Sequence, residues 1–277
     1  MKKNERAAAI VRTIVVSLIA VLFVVPLVWM GLSSLKTAPE VFARPFHWLP
    51  ARVQWQNYAT VWMNEEASML RAFANTLYIA LFSIVGQMFI SSLAAYSFAK
   101  INFKGKQVVF MLFLSSMMVP SQLTIIPRFM LFKTIGLYNN LWAIILPAFF
   151  GATSIFMLRQ FYMGLPNDLI EAAKIDGAGH LRIFLRIMLP LTKAALMSLI
   201  ILAFISSWNE YMAPLIFLVK KELYTVSQNI QWYMLDEFKE HNLTMAAATS
   251  AIVPVVILFI VGQKYFVEGI ATSGVKG

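Results

Sequence analysis

Long stretches without a charged residue alternate with short polar segments along this chain of 277 residues. A membrane-spanning helix needs about 17–25 consecutive, mainly apolar residues. Five stretches reach this length on their own, at 13–35, 72–99, 107–127, 134–158 and 242–263. A sixth stretch, 194–209, stops at Glu210, but the apolar pattern resumes at 211–219. The pattern therefore predicts an all-α integral membrane protein with about six transmembrane helices.

These helices are predicted to form one transmembrane domain over residues 1–277, because no repeat, linker or low-complexity segment divides the chain. Pro120 is expected to break the third helix, since proline lacks a backbone N–H. The loop between the fourth and fifth helices is predicted at 160–191. The predicted helix bounds are 11–34, 72–98, 107–130, 137–159, 192–218 and 242–265.

The amino terminus is basic and precedes an apolar run, as in a secretory signal peptide. The uncharged stretch 13–35 has 23 residues, which exceeds the roughly 7–15 residues of a signal core and suits a spanning helix. We therefore expect an uncleaved first helix.

The composition supports the membrane assignment. Hydrophobic residues make up 60% of the chain and charged residues only 13%, against roughly 25% charged in soluble domains. The net charge of +10 is not gathered into a dense basic patch, so we expect lipid and not nucleic acid as the partner. The chain has no cysteine, which excludes disulfides and thiolate chemistry.

The distribution of lysine and arginine predicts the orientation. With the amino terminus inside, the inner segments carry fourteen of these residues and the outer segments nine. Cytoplasmic loops are the more basic ones. Both termini are therefore predicted to lie inside.

The loop at 160–191 is too polar to span the membrane, and it has the pattern of two short helices. Asp168 and Glu171 are spaced as an acidic cap and its N3 carboxylate, which predicts a helix over 169–176. Gly177 and Gly179 are expected to supply a left-handed stop.

The second short helix is predicted at 181–188, and it is expected to end before Pro190 because proline disrupts a helix interior. The fixed positions of this loop follow the spacing EAA-x3-G-x9-I-x-LP: Glu171, Ala172, Ala173, Gly177, Ile187, Leu189 and Pro190. The loop resembles the EAA loop of permeases in binding-protein-dependent ABC importers. Segments 207–211 and 273–277 are similar to the smaller permease of the maltose-type carbohydrate branch.

The resemblance implies a place for this loop against an ATPase subunit. It assigns the coupling role to Glu171, Ala172, Ala173, Asp176, Gly177, Ile187 and Pro190. It also implies an ATPase contact by the tail, although a frayed terminus is an equally good interpretation. The tail residues are Gly274, Val275, Lys276 and Gly277.

The implied partners are a second homologous permease, an ATPase homodimer or heterodimer, and an extracytoplasmic solute-binding protein. The implied location is the cytoplasmic (inner) membrane of a bacterium or archaeon. The implied cargo is a sugar or oligosaccharide. A glycerol-phosphate, polyol or other solute stays open within the same family.

The chain itself lacks sequence signatures of catalysis. It has no G-x-x-x-x-G-K-[ST] phosphate loop, H-E-x-x-H or serine elbow. We therefore expect no catalytic residue and no cofactor on this chain, with ATP and Mg bound by the partner ATPase. His47, His180 and His241 fall in separate predicted loops, so we expect no metal site.

Polar residues within predicted spans are costly in lipid and commonly face an interior or a pathway. On this ground the candidate substrate pathway consists of Ser116, Gln122, Ser206, Asn209 and Glu210. Glu210 has two interpretations: it lines the outward mouth of the pathway, or it lies at the outer membrane surface beside Trp208 and Tyr211.

Two other classes remain as alternatives. A secondary transporter driven by an ion gradient needs paired ionisable groups within its spans, and here only Glu210 qualifies. A membrane scaffold that transports nothing would not need the EAA loop.

Overall fold

The computed structural model describes residues 2–235 and 240–274, with side chains at 8–235 and 240–263. The described part is helical and contains no strand. The α-helices in chain order are α1 Lys2–Ser33, α2 Ala38–Val41, α3 Gln56–Met63, α4 Met69–Lys100, α5 Lys106–Ser116, α6 Ser121–Thr134, α7 Trp142–Ala148, α8 Ala152–Gly164, α9 Asp168–Ile175, α10 His180–Ile183, α11 Leu189–Leu191, α12 Lys193–Trp208, α13 Met212–Phe217, α14 Val226–Leu235 and α15 His241–Gly274.

Four helical segments of the described chain are long and apolar enough to cross a membrane. They are Ala8–Ser33, Met69–Lys100, Trp142–Gly164 and His241–Gln263. Two bent pairs, Lys106–Ser116 with Ser121–Thr134 and His180–Leu191 with Lys193–Trp208, raise the number to six if each pair is one span. The prediction of an all-α membrane protein is confirmed, with four to six candidate spans.

The third predicted helix, 107–130, is two helices in the structure. α5 ends at Ser116 and α6 begins at Ser121, and their axes are bent by 93°. Pro120 precedes α6 and has a ψ of 131°, which is outside the helical region. Since proline cannot donate the hydrogen bond that would continue α5, the expected break at Pro120 is confirmed, and it turns the chain sharply.

The fourth and fifth predicted helices also have different bounds in the structure. The fourth, predicted at 137–159, is α7 followed by α8, and it continues to Gly164. Within α8, the Arg159 guanidinium lies 4.1 Å from the Phe110 ring centre and donates to the Phe98 carbonyl. The fifth, predicted at 192–218, is interrupted after Trp208 and resumes as α13.

The chain divides into two compact units. One consists of Met1–Leu70 with Asn229–Pro254, and the other of Arg71–Gln228 with Val255–Gly277. In the first unit the buried side chain of Asn57 donates to the carbonyls of Ser34 and Lys36 at 2.8 and 2.9 Å. Its amide oxygen accepts from Asn242 at 3.0 Å. This network joins α3 to the turn after α1 and to the start of α15.

In the second unit, two glycines permit close packing between α4 and the break that separates α7 from α8. A Cβ atom at Gly86 would collide with the Phe149 ring, and one at Gly151 would collide with the Gln87 amide. The absence of these side chains therefore lets the backbones approach. In this arrangement the Gln87 amide donates a hydrogen bond to the Ser154 hydroxyl at 3.0 Å.

Candidate functional site

The EAA segment forms a short helix, α9, whose start differs by one residue from the prediction. Asn167 is the residue before the helix, and it makes no side-chain capping bond. The predicted cap, Asp168, is instead the first helical residue. Asp168 and Glu171 both lie in the first turn, where carboxylates interact favourably with the helix dipole.

Gly177 ends α9 as the sequence predicted. Its φ is 77°, in the left-handed region that favours glycine. The Gly177 N–H donates to the Lys174 carbonyl at 3.0 Å, and the Ala178 N–H donates to the Ala173 carbonyl at 2.9 Å. This pair of bonds is the Schellman arrangement. The same role predicted for Gly179 is wrong: its φ is −72° and it precedes α10.

The prediction that the second short helix ends before Pro190 is also wrong. α10 passes into a π-helical turn at Phe184–Met188, and α11 follows with Pro190 in its first turn. A proline is tolerated in a first turn because the hydrogen bond that it cannot make is not required there. The helical path therefore continues to Leu191.

One face of α9 is anchored in the core of the second unit. Ile170 and Ala173 are 5% and 8% exposed. They belong to a buried cluster with Tyr96, Tyr162 and Phe184, among others. Burial of an isoleucine side chain stabilises this contact by about 1.5–3 kcal/mol, so α9 is seated on the ends of α4 and α8.

The opposite face of α9 is open. Glu171, Ala172 and Asp176 are exposed, and the Ile175 side chain is 87% exposed. Of the later coupling residues, Ile187 is half-buried and Pro190 is exposed. The motif thus divides into an anchoring residue, Ala173, and a surface of mixed acidic and apolar character.

The last turns of α4 hold the segments on both sides of α9. The Lys100 ammonium donates to the Leu165 carbonyl and to the Asn167 side-chain oxygen, both at 2.7 Å. One turn earlier on the same helix, the Tyr96 hydroxyl lies 3.1 Å from His180 Nδ1. Residues four apart share a helix face, so one face of α4 contacts the chain before and after α9.

A cavity of about 450 Å³, with several polar side chains in a largely apolar lining, lies in the second unit between α4, α6, α7, α12 and α13. Three predicted pathway residues, Gln122, Ser206 and Glu210, line it. Ser116 and Asn209 are not among the lining residues. Their side chains donate within their own helical segments, to the carbonyls of Phe113 and Ile205.

Arg128 also lines this cavity, although it is not among the pathway residues predicted from the sequence. Its guanidinium lies 4.9 Å from the centre of the Phe217 ring and interacts electrostatically with Glu210. A usable signal was present in the sequence: Arg128 and Glu210 each interrupt an apolar stretch, and opposite charges in spans tend to be neighbours.

Part of the predicted tail lies outside the described residues. Gly274 is the last residue of α15, and Val275, Lys276 and Gly277 fall beyond it. The tail contact stays a prediction.

Comparison with known proteins identifies the family. The model described as binding-protein-dependent transport system inner membrane component matches residues 87–272. The arabinooligosaccharides transport system permease protein AraQ of Bacillus subtilis is 33% identical over 267 residues, covering 96% of this chain and 95% of that protein. The sn-glycerol-3-phosphate transport system permease protein UgpE of Pectobacterium atrosepticum is 30% identical over 266 residues, covering 94% of each.

A solved structure has the same fold. It is a bacterial ABC transporter involved in the import of the acidic polysaccharide alginate, and one of its chains matches with a TM-score of 0.84. The match covers 95% of this chain and 98% of that chain at 24% identity, so the likeness concerns the fold. The family predicted from the EAA spacing is confirmed. The chain belongs to the inner membrane components of binding-protein-dependent transport systems.

Proposed function

We propose that this chain is the membrane-spanning permease subunit of an ATP-driven importer, which carries a sugar or oligosaccharide delivered by an extracytoplasmic binding protein. The observation that carries the proposal is α9: a short EAA helix with a buried anchor at Ile170 and Ala173 and an open face at Glu171, Ala172 and Ile175. The carbohydrate cargo is supported by relatives such as AraQ.

The proposed topology places both termini and segment 160–191 in the cytoplasm of a bacterium or archaeon, with residues 1–277 as one permease domain in the inner membrane. The excess of lysine and arginine on the corresponding segments supports it. The exposed surface of α9 would then face the compartment that contains ATP.

The proposed complex contains a second homologous permease and an ATPase homodimer or heterodimer. This chain is its non-catalytic subunit and binds no cofactor, because its sequence offers no phosphate loop. ATP and Mg bind to the ATPase subunits. The coupling segment consists of Glu171, Ala172, Ala173, Asp176, Gly177, Ile187 and Pro190, with Ala173 as its buried anchor, and the tail from Gly274 to Gly277 adds a second contact.

The proposed mechanism is a rigid-body movement. Closure of the ATPase subunits displaces α9, and α9 moves the core that it shares with α4 and α8. α4 also lines the cavity, through Ser83 and Gln87. A helix transmits displacement along its length, so movement at the α4 end near Lys100 changes access to the cavity near Gln87. Of the residues predicted for the pathway, Gln122, Ser206 and Glu210 line the same cavity.

Replacing Lys100 with methionine is expected to weaken this transmission. The change removes both hydrogen bonds to the segment before α9 but keeps a long apolar side chain. Because charge-assisted bonds of this kind contribute about 1.5–3 kcal/mol, we expect the binding protein to stimulate ATP hydrolysis by the mutant complex several-fold less. Lys104→Met is the matched control, since Lys104 is exposed in the loop that follows α4. Equal stimulation in wild type, K100M and K104M would contradict the role of Lys100.

The function is tested by reconstituting the complete complex in proteoliposomes with its binding protein. Uptake of a saccharide that requires ATP inside and the binding protein outside is the expected result. Uptake of sn-glycerol-3-phosphate under the same conditions would favour the second candidate cargo, which relatives such as UgpE support. Uptake that follows an imposed ion gradient without ATP would overturn the proposal in favour of a secondary transporter.

A further inference from the structure

Arg128 is a cation within a candidate membrane span whose hydrogen-bonding capacity the described protein does not use. Its Nε atom is buried and has no hydrogen-bond partner. Among the described residues, the guanidinium has no hydrogen-bond partner. It lies 4.9 Å from the centre of the Phe217 ring and interacts electrostatically with Glu210. An arginine in this position is costly in lipid, and such residues commonly mark a binding site or pathway.

The Glu210 carboxylate does not form a hydrogen bond with the Arg128 guanidinium. One of its carboxylate oxygens accepts a hydrogen bond from the Ala213 N–H at 3.0 Å, at the start of α13. The carboxylate is therefore committed to the helix terminus, where negative charge is favourable. Glu210 partly offsets the positive charge of Arg128 from this fixed position. The planar fork of N–H donors on the Arg128 guanidinium is left without a partner in the described protein.

The other polar groups around Arg128 are neutral. Ser83, Gln87, Gln122 and Ser206 line the same cavity of about 450 Å³, a volume within the usual range for small-molecule sites. The Ser83 hydroxyl is buried and has no hydrogen-bond partner. Amides and hydroxyls are the groups that bind sugar hydroxyls, so the site offers one cationic position beside several neutral ones.

We propose that Arg128 binds an acidic group of the transported solute, the carboxylate of a uronate or the phosphate of a sugar phosphate. Carboxylates and phosphates match the guanidinium fork and accept two parallel hydrogen bonds from it. Phe217 fixes the plane of the fork from one side. Glu210 repels a second acidic group, so the solute enters with its acid at Arg128 and its hydroxyls at Gln87 and Gln122. The inference rests on the proposed import function and specifies the class of its cargo.

The test compares initial rates of ATP-driven uptake by the complete complex and its binding protein in proteoliposomes. The probes are digalacturonate, sn-glycerol-3-phosphate and the neutral disaccharide galactobiose, and the two acidic probes distinguish a carboxylate from a phosphate. We expect one acidic probe to be taken up faster than the neutral one. Arg128→Met should lower that uptake about tenfold or more, because a bound charge loses its partner. Arg128→Lys should retain part of it, since the charge remains.

Lys133→Met is the matched control, because Lys133 is an exposed cation in the last turn of the same helix. It should leave uptake of all three probes unchanged. The inference would be overturned if the wild-type complex took up galactobiose but neither acidic probe. It would also be overturned if other saccharides entered and neither acidic probe did. An equal loss of acidic and neutral uptake in R128M would overturn it too, in favour of a structural role. In these outcomes the proposed import function stands; it fails only if ATP and the binding protein drive no uptake at all.

Discussion

Replacing Gly177 with valine is expected to remove most of the ATP hydrolysis that the binding protein stimulates. Gly177 has a φ of 77°, and a side chain in this left-handed region costs about 1–2 kcal/mol, more for a β-branched residue. The Schellman bonds at the end of α9 would be lost or distorted. We expect stimulation to fall about tenfold or more, because the coupling surface would lose its fixed geometry. The measurement is hydrolysis by the reconstituted complex with and without binding protein.

Gly179→Val is the matched control for this change. Both glycines have open space where a Cβ atom would be built, but Gly179 has a φ of −72° and a ψ of 163°, which any residue adopts. The control variant should keep most of the stimulation. Equal loss in the two variants would mean that added bulk on this surface, and not the backbone turn at Gly177, is what matters.

Replacing Ile170 with aspartate is expected to detach α9 from the core. The Ile170 side chain is 5% exposed among the residues of α4, α8 and the π-helical turn. A carboxylate there has no cationic partner within its cluster and costs about 3 kcal/mol or more. We expect a lower thermal midpoint of the purified chain, and loss of stimulated hydrolysis even where the complex still assembles.

Leu169→Asp introduces the same charge one residue earlier. Leu169 is 41% exposed, so its carboxylate remains in solvent and the thermal midpoint should stay near that of the wild type. If the two aspartate variants lose stability equally, α9 is not anchored through Ile170.

The parts of the site that were predictable from the sequence are those with local causes. The stop at Gly177 follows from one glycine after a helical pattern, and the break at Pro120 follows from the missing N–H of one residue. Their outcome is decided within a few residues, so the spacing alone indicates it. The start of α9 at Asp168 differed by one residue from the prediction, because no side-chain capping bond at Asp168 or Asn167 fixes it and helix ends vary by a residue or two.

The parts that were missed depend on contacts between distant segments. The fourth helix extends beyond its predicted end at 159 to Gly164, and Arg159 within it contacts Phe110 and Phe98, neither of which is near it in sequence. The position of Arg128 against Phe217 and Glu210 required the bend of α6 away from α5. The helix through Pro190 depends on a π-helical turn, for which the sequence has no simple pattern.

A cross-link from Ile175 tests whether α9 contacts the ATPase. The chain contains no cysteine, so Ile175→Cys provides one thiol, at a side chain that is 87% exposed, for a photoreactive maleimide. Val53→Cys, at an exposed residue between α2 and α3 that is predicted to lie outside, is the control. After illumination of the intact complex in membranes, we expect a covalent adduct between the Ile175 variant and the ATPase subunit, and none from the Val53 variant. An intact complex in which Ile175 gives no ATPase adduct, or in which Val53 gives one, would mean that α9 is not the contact with the ATPase.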